Sequence, residues 1–433
     1  MVQIPREKKL DSTLDVFRDG YTFLQNKSDQ LQSDIFQVRL LGMKVICLHG
    51  PEGARLFYDP ERFMRKGAMP KRVQKTLTGE NAVQTLDNEK HHQRKEMFMS
   101  LMNPGNIHRL MALISQEWQQ AGKSWENKEE VILFKEAQDI FCRAACAWVG
   151  VPLPNDKVRK RARDLGWMVD AFGAVGPKHW RGKRARRRSE KWIAKIIKQV
   201  RAGKLLVDDK LPVAVMANYR DVNGKELDVN MAAIELLNLI RPIVAIAWYV
   251  VFAALALHQY PVTRQKLLAG TANYDELFVQ EVRRFYPFAP FLGAIVRKNL
   301  TWNNYFFPQG TLVLLDVYGT HHDARIWERP DAFYPERFQD WQESRFDFIP
   351  QGGGDYSNGH RCAGEWITIE ALKISLHYLV KGIQYRVPPQ NLHFSLSKMP
   401  TLPESGFVIN RVKRAENFSS VIEAMGCPFH RKR

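Results

Sequence analysis

Residues 348–365 read FIPQGGGDYSNGHRCAGE and decide the fold, because they set Cys362 in a glycine-rich loop that leads into a helical pattern. Apolar residues recur at helical spacing through residues 366–380 and predict a helix there. Backbone N–H groups and the helix dipole favour a thiolate near such a helix start, and the glycines would let the backbone approach a flat macrocycle. Cys362 is therefore a candidate axial ligand of a haem iron, where a thiolate favours O–O bond cleavage. The alternative is a buried structural cysteine beside a turn.

Two further segments supply a candidate network of one glutamate and two arginines. Glu281 and Arg284 are spaced i and i+3 in a helical stretch and can pair, although an isolated pair of this kind is usually a weak surface bridge. Arg337, in the proline-punctuated segment 327–338, offers a third partner. These segments and the cysteine loop, in this order, resemble the cytochrome P450 superfamily. The resemblance implies a mainly α fold with small β-sheets, as a single haem-thiolate domain over residues 1–433 with haem b as the cofactor.

The cysteine loop then points to one family within this superfamily. It carries a Gly-Gly-Gly-Asp insertion and places His360 two residues before the cysteine, which is similar to the bacterial fatty-acid peroxygenase family. Residues 238–245 read NLIRPIVA. They lack the acid–alcohol pair with which typical P450s deliver protons to iron-bound dioxygen.

Arg241 needs an explanation of its own, because the 16 residues that follow it, 242–257, carry no acidic or basic charge. A charge in apolar surroundings is rarely left without a partner, so the functional interpretation is a bidentate clamp for a substrate carboxylate. The alternative is an arginine at a surface or helix end. Pro242 removes a helix hydrogen bond and predicts a bend. The resemblance implies that Arg241, with Pro242 beside it, holds a fatty-acid carboxylate next to the iron.

The function that the resemblance implies is hydroxylation of long-chain fatty acids at Cα or Cβ with hydrogen peroxide, with some decarboxylation to terminal alkenes. The substrate carboxylate would move the proton during peroxide activation, and no reductase partner would be needed. Two alternatives stay open. One is a conventional monooxygenase that depends on NAD(P)H and redox partners, and the other is a non-enzymatic haem-thiolate sensor or lipid carrier.

The resemblance also assigns roles around the haem. In the family, the residue that matches Gln84 lies near the haem and is glutamine in members that mostly hydroxylate. Thr78 occupies a position at which the family often has phenylalanine. The resemblance implies that the haem propionates are bound by His91 and Arg65, and Lys95, one helical turn after His91, can face the same ligand edge. Three residues match the substrate channel, although a plain core role is an alternative for each of them: Phe288, Phe291 and Leu292.

Charge and composition exclude some classes of partner. The chain of 433 residues has a formal net charge of +18, with basic residues dense in 157–163 and 178–191. It contains no nucleic-acid recognition motif, so we expect no nucleic-acid partner. The basic stretches are either solvated helix faces or surfaces that attract anionic fatty acids and membrane lipids, which leaves room for peripheral membrane contact.

The remaining patterns concern location and strands. The N-terminus has no apolar run, and the uncharged central run falls short of the roughly 20 residues that span a bilayer, so we expect no transmembrane segment. Five unpatterned cysteines indicate a reducing cytosol and hence a cytoplasmic protein. Helical patterns fill most of the middle of the chain. Strands are predicted at residues 35–41, 43–48, 293–296, 305–317 and 392–409.

Overall fold

The structure is a computed structural model that describes residues 2–342 and 344–415. The chain divides into two compact units. Unit 1 draws on Met1–Glu96, Arg283–Cys362 and Ser395–Thr401, and unit 2 draws on Met97–Val282, Ala363–Phe394 and Leu402–Arg433. The prediction of one domain over residues 1–433 stays a prediction.

Unit 1 is built around a five-stranded sheet. Its strand order is β1-β2-β8-β5-β3, with β2 and β8 parallel and the other neighbours antiparallel. The strands of this unit are β1 (Ile35–Leu40), β2 (Met43–Leu48), β3 (Phe63–Met64), β5 (Phe291–Val296), β6 (Leu300–Trp302), β7 (Tyr305–Phe307) and β8 (Leu312–Asp316). Its shorter helices are α1 (Thr13–Asp19), α2 (Phe23–Leu31), α3 (Gly50–Phe57), α4 (Lys71–Gln74) and α14 (Tyr318–His321), while α5 (Asn88–Leu101) and α13 (Tyr274–Phe285) contribute residues to both units.

Strand alternation divides the core of unit 1 between the two faces of this sheet. Ile46 and Leu48 of β2 join one apolar cluster, and Val45 and Cys47 of the same strand join the other. Side chains on both faces are therefore buried, which is why residues 45–48 of β2 and 312–315 of β8 are continuous apolar runs.

Unit 2 is mostly helical, and its longest element is α11 (Val229–Gln259). The other helices are α6 (Pro104–Trp125), α7 (Leu133–Val149), α8 (Val158–Asp170), α9 (Gly176–Arg201), α10 (Pro212–Asn218), α12 (Pro261–Leu268) and α15 (Glu365–His377). A three-stranded sheet in the order β4-β10-β9 completes it, from β4 (Val131–Ile132), β9 (Ile383–Arg386) and β10 (Val408–Arg414). The mainly helical class with small sheets is confirmed.

Helix α11 is largely apolar and is buried on most of its circumference, as expected for a helix enclosed by others. It packs against α7, α8, α9, α10 and α15, and Asp228 caps its start by accepting hydrogen bonds from Asn230 N and Met231 N. It continues through Pro242, so the proline does not end the helix; the predicted bend stays a prediction.

Among the described residues α11 is long and apolar enough to cross a membrane by length and composition. The uncharged run of residues 242–257 is part of this helix of 31 residues. Burial supports the interpretation as a core helix, because 94% of its most apolar window is enclosed by the protein.

Two strand predictions need correction. Residues 392–407 contain no strand, and β10 begins only at Val408. Pro400 and Pro403 lie in that segment and cannot donate to a strand ladder. The predicted strand 305–317 is two strands, β7 and β8, separated by a turn in which Gly310 takes a φ of 78°.

Candidate active site

Cys362 lies in a loop of unit 1 that is held by backbone and side-chain hydrogen bonds. Cys362 N donates to Gln351 O at 3.0 Å, and Gln351 Nε2 lies 3.8 Å from Cys362 Sγ. The same amide accepts a bond from Arg283 Nη2 at 3.1 Å. Gln351 thereby fixes the loop and offers the sulfur an N–H donor, a contact that stabilises a thiolate.

The four cysteines in the described part of the chain differ in accessibility. Cys362 is half-buried, whereas Cys47, Cys142 and Cys146 are buried. Burial raises the pKa of the Cys47 thiol, and a hydrogen bond with Cys146 together with burial raises the pKa of Cys142. The structural-cysteine interpretation therefore fits those residues, and Cys362 is the accessible thiol. Cys427 lies outside the described residues.

The glycines of the loop pack against protein atoms. A Cβ on Gly353 would lie 2.6 Å from Arg345 O, and one on Gly354 would lie 3.2 Å from atoms of the Tyr58 side chain. Gly352 has a φ of 92° and would also meet Tyr58. Contacts with Arg345 O and Tyr58, together with positive φ angles at Gly352 and Gly354, favour glycine at all three positions. The approach of a macrocycle to this loop stays a prediction.

A cluster of cationic and imidazole groups lies in unit 1 beside this loop. Lys95 Nζ donates to Arg361 O at 2.5 Å, and the rings of His91 and His360 stack with centroids 3.9 Å apart. Arg65 extends over the Phe57 ring, 4.2 Å from its centroid. The predicted trio of Arg65, His91 and Lys95 is therefore brought together.

Burial and neighbouring cations both lower the histidine pKa values in this cluster. Burial and the charge of Lys95 lower the pKa of His91 to about 4. Burial and the charges of Arg65 and Lys95 hold the pKa of His360 well below its usual range. Both rings are neutral at pH 7, so Arg65 and Lys95 carry the positive charge.

These residues fit a haem. Its two propionates are anions, and the charges of Arg65 and Lys95 at this cluster would stabilise an anion. An accessible cysteine on the adjoining loop provides the thiolate type of axial ligand. Cys362 as the ligand and Arg65, His91 and Lys95 as propionate partners remain predictions.

Gln84 and Thr78 lie in the same unit. Gln84 is in a 3-10 turn, Val83–Thr85, and its Oε1 atom is buried without a hydrogen-bond partner among the described residues. A buried amide oxygen of this kind is usually satisfied in a complete structure, so Gln84 is suited to face a bound group. The Thr78 hydroxyl lies 3.2 Å from Gly79 O.

The predicted channel residues have core contacts. Phe291 and Leu292 are neighbours in β5 and pack on opposite apolar clusters of the sheet. Phe288 is half-buried, and its carbonyl accepts a bond from Tyr21 Oη at 2.9 Å. Their substrate role stays a prediction beside these contacts.

Arg241 lies on α11 in unit 2 and is 8% exposed, so a surface position is wrong. Its Nη2 is 3.5 Å from Asn238 Oδ1, and Asn238 Nδ2 donates to Glu235 Oε2 at 3.1 Å. Glu235 is fully buried. The three residues follow each other at i, i+3 and i+6 and form a polar line along an otherwise apolar helix.

Arg186 of α9 belongs to the same buried charge system. It is 2% exposed and donates from Nε to Glu190 Oε1 at 2.6 Å. Burial lowers its pKa, and the charges of Glu190 and Glu235 partly restore it. Glu235, Asn238 and Arg186 were not predicted from the sequence, although the spacing of Glu235 and Asn238 before Arg241 was a usable signal.

The predicted network of Glu281, Arg284 and Arg337 stays a prediction, and the structure shows where its members lie. Glu281 and Arg284 lie on α13 and are completely buried. Arg284 donates to His321 O at 2.6 Å and Pro330 O at 2.9 Å, and both Arg284 and Arg337 donate to Ala332 O. The two arginines therefore converge on backbone carbonyls of the proline-punctuated segment, which suits a structural role.

Comparison with known proteins agrees with this architecture. The family model for Cytochrome P450 matches residues 272–410. Protopanaxadiol 6-hydroxylase of Panax ginseng is 24% identical over 421 residues, which cover 89% of this chain and 86% of that enzyme.

Solved structures give a closer match. Cytochrome P450EX alpha (CYP152N1) with myristic acid is 45% identical, with a TM-score of 0.92 over 95% of this chain and 99% of that one. Cytochrome P450SP alpha (CYP152B1), in complex with (R)-ibuprophen, is 43% identical, with a TM-score of 0.91 over 93% and 99%. A variant of cytochrome P450 OleT in complex with arachidonic acid is 36% identical, with a TM-score of 0.93 over 96% and 100%. The chain therefore belongs to the cytochrome P450 superfamily, in its bacterial fatty-acid peroxygenase family, and its cofactor is the haem b of a haem-thiolate enzyme.

Proposed function

We propose that this P450 uses hydrogen peroxide to hydroxylate long-chain fatty acids at Cα or Cβ, with decarboxylation to terminal alkenes as a minor outcome and without a reductase. The observation that carries the proposal is Arg241, a buried guanidinium on an otherwise apolar helix. A buried arginine suits a planar anion. The fatty acids in the complexes of P450EX alpha and OleT are anions of this kind.

Arg241 would act first by binding. Its two-pronged guanidinium holds both oxygens of the fatty-acid carboxylate, while Asn238 and Glu235 orient the side chain from the preceding turns. Both oxygens of one carboxylate can accept and return a proton. Since residues 238–245 contain no acid–alcohol pair, the bound carboxylate itself takes the proton from peroxide and gives it to the departing oxygen, which leaves as water.

The haem, when bound through Cys362, supplies the iron at which peroxide is activated, and a thiolate ligand favours O–O cleavage. The residues of unit 1 would hold it. Arg65 and Lys95 neutralise the propionates, neutral His91 donates a hydrogen bond, and Gln351 keeps the sulfur in place. Gln84, with its buried amide oxygen, would bias the products toward hydroxylation.

We place this activity in a soluble cytoplasmic enzyme, with no nucleic-acid partner. The burial of α11 inside the protein supports a soluble form. Fatty acid and peroxide are then the sole partners of the reaction.

The test is turnover of myristate by the purified holoenzyme with hydrogen peroxide, in the absence of NADPH and of any reductase. Gas chromatography should show 2- or 3-hydroxymyristate as the main product and a smaller amount of terminal alkene. Methyl myristate and tetradecanol serve as matched controls and should not react, because neither presents a carboxylate to Arg241. Equal rates for acid and ester, or turnover that requires NADPH and a reductase, would favour the conventional monooxygenase.

A further inference from the structure

Helix α9 presents a line of basic side chains to solvent. Arg184, Arg187, Lys191, Lys195 and Lys198 are exposed and are separated by three or four residues, so they share one face. At 1.5 Å per residue the line is about 21 Å long. The acidic residue within this stretch, Glu190, is half-buried and pairs with Arg186.

These five side chains differ from four other basic residues of the helix, which form ion pairs. Lys178 and Arg181 pair with Asp170, Arg188 pairs with Asp164, and Arg186 pairs with Glu190. None of the five has a carboxylate within ion-pair distance in residues 2–342 and 344–415. Their charges are therefore available to an external anion.

The helix cannot turn this face inward, because its opposite side is committed to the core. Ala185, Ile193 and Ile197 are fully buried, and α9 packs against α8, α10 and α11. The basic line is thus a fixed feature of the surface of unit 2.

Exposed apolar residues adjoin one end of the line. Trp180 is 57% exposed and precedes Arg184 by one turn, so it lies on the same face. Val175, just before the helix, is 54% exposed. An exposed tryptophan beside a basic helix face is the composition of a surface that lies on a lipid bilayer, since indole rings prefer the interfacial zone.

We propose that this face of α9 docks the protein onto an anionic lipid bilayer, with the five cations on lipid phosphates and Trp180 in the interface. A nucleic acid is less well matched. Binding of single strands uses several stacking rings, and on this face the one exposed ring among the described residues is Trp180. The proposal is independent of the proposed activity, although a bilayer is also where a long-chain fatty acid would be met.

The test is co-sedimentation of the full-length holoenzyme with vesicles. Wild type should bind vesicles containing phosphatidylglycerol, bind pure phosphatidylcholine weakly, and lose affinity as salt is raised. R184E/R187E/K191E should weaken binding by about a hundredfold, and Trp180→Ala should weaken it severalfold. The matched control K8E/R39E/K44E reverses the same number of exposed charges in unit 1 and should bind more tightly than the α9 variant. An unchanged thermal unfolding midpoint and CO-difference band would establish that each variant is folded.

Two outcomes would overturn the proposal. In one, the α9 variant and its control lose affinity equally, so that net charge alone governs adsorption. In the other, wild type binds random duplex DNA more tightly than phosphatidylglycerol vesicles at the same salt concentration. Peroxide turnover of myristate is measured separately, so failure of the activity and failure of docking are distinguishable.

Discussion

The loop around Cys362 and the helix around Arg241 position their key side chains by different means. Cys362 is held through contacts with residues far away in sequence, such as the bonds of Gln351 to Arg283 and of Lys95 to Arg361 O. Arg241 is held within one continuous helix, and its partner Asn238 is a turn away. The position of a side chain in a loop depends on many non-local bonds, whereas residues three or four apart in a helix are placed side by side by the helix itself.

The largest effect on turnover should come from the loop around Cys362. Cys362→Ala should abolish peroxide-driven turnover and remove the CO-difference band of thiolate-ligated haem, because no other described cysteine is accessible. The measurement is the reduced CO spectrum. Cys146→Ala, which alters a buried cysteine of α7, should keep the band. A histidine-type CO spectrum from wild-type protein with its haem intact would refute the assignment.

The second largest effect on turnover should come from Arg241 on α11. Arg241→Ala should lower kcat/KM for myristate and peroxide by about tenfold to a thousandfold, the range expected when a desolvated charge-assisted contact is lost. Arg241→Lys should recover only part of this, because an ammonium group lacks the planar fork. In the wild-type enzyme, an added short carboxylic acid should bind Arg241 and allow peroxide-driven oxidation of a small substrate that has no carboxylate of its own. Undiminished turnover by Arg241→Ala would remove the carboxylate clamp from the mechanism.

Unit 1 also contains a buried ion triad that makes its stability pH-dependent. His49 lies between Asp316 and Asp323, at 3.0 and 3.2 Å. Burial would lower its pKa, but the hydrogen bonds to both carboxylates raise the pKa from 6.5 to about 10. Because the pKa of His49 is higher in the folded than in the unfolded chain, protonated His49 stabilises the folded state. This stabilisation is complete below the unfolded pKa of 6.5 and is lost as the pH rises through about 10.

Urea unfolding should therefore show stability falling from about pH 7 to about pH 9.5. His49→Gln should lower the free energy of unfolding at pH 7 by on the order of a few kcal/mol and flatten this slope. His393→Gln, at an exposed position, is the control and should keep the slope. A wild-type slope in the His49 variant would show that the triad is not its source.

A smaller effect should follow from the residue that orients Arg241. Asn238→Ala removes a hydrogen bond that is long at 3.5 Å, so kcat/KM should fall about threefold to tenfold, the equivalent of an ordinary net hydrogen bond. The loss should be mainly in KM for the fatty acid, since the guanidinium remains. Steady-state kinetics with varied myristate decides this, and a loss as large as that of Arg241→Ala would mean that Asn238 has its own catalytic role.

The smallest effect concerns product choice. Gln84→His should raise the share of terminal alkene while hydroxylation persists, because the side chain at this position would contact the reacting end of the substrate. Product ratios at full conversion are the measurement. Gln74→His, which replaces a glutamine bonded to Met69 O, should leave the ratio unchanged. The same ratio in both variants would show that Gln84 has no part in selectivity.

The amino-acid sequence by itself determined the helical class, the cysteine loop, the helix through Arg241 and the family resemblance. These features depend on local period and on motifs of a few residues, which are visible along the chain. The same local patterns are misleading at 392–407, where a proline-containing loop imitates a strand.

Only the tertiary structure decided which groups meet across long stretches of sequence. Gln351 beside Cys362, Tyr58 against the triple glycine and His49 between two aspartates 267 and 274 residues away have no local signal. The same holds for the five exposed cations of α9, which differ from paired cations of the same helix only in what surrounds them. Burial and partner choice are properties of the folded chain, because they arise from contacts that the packing of distant segments creates.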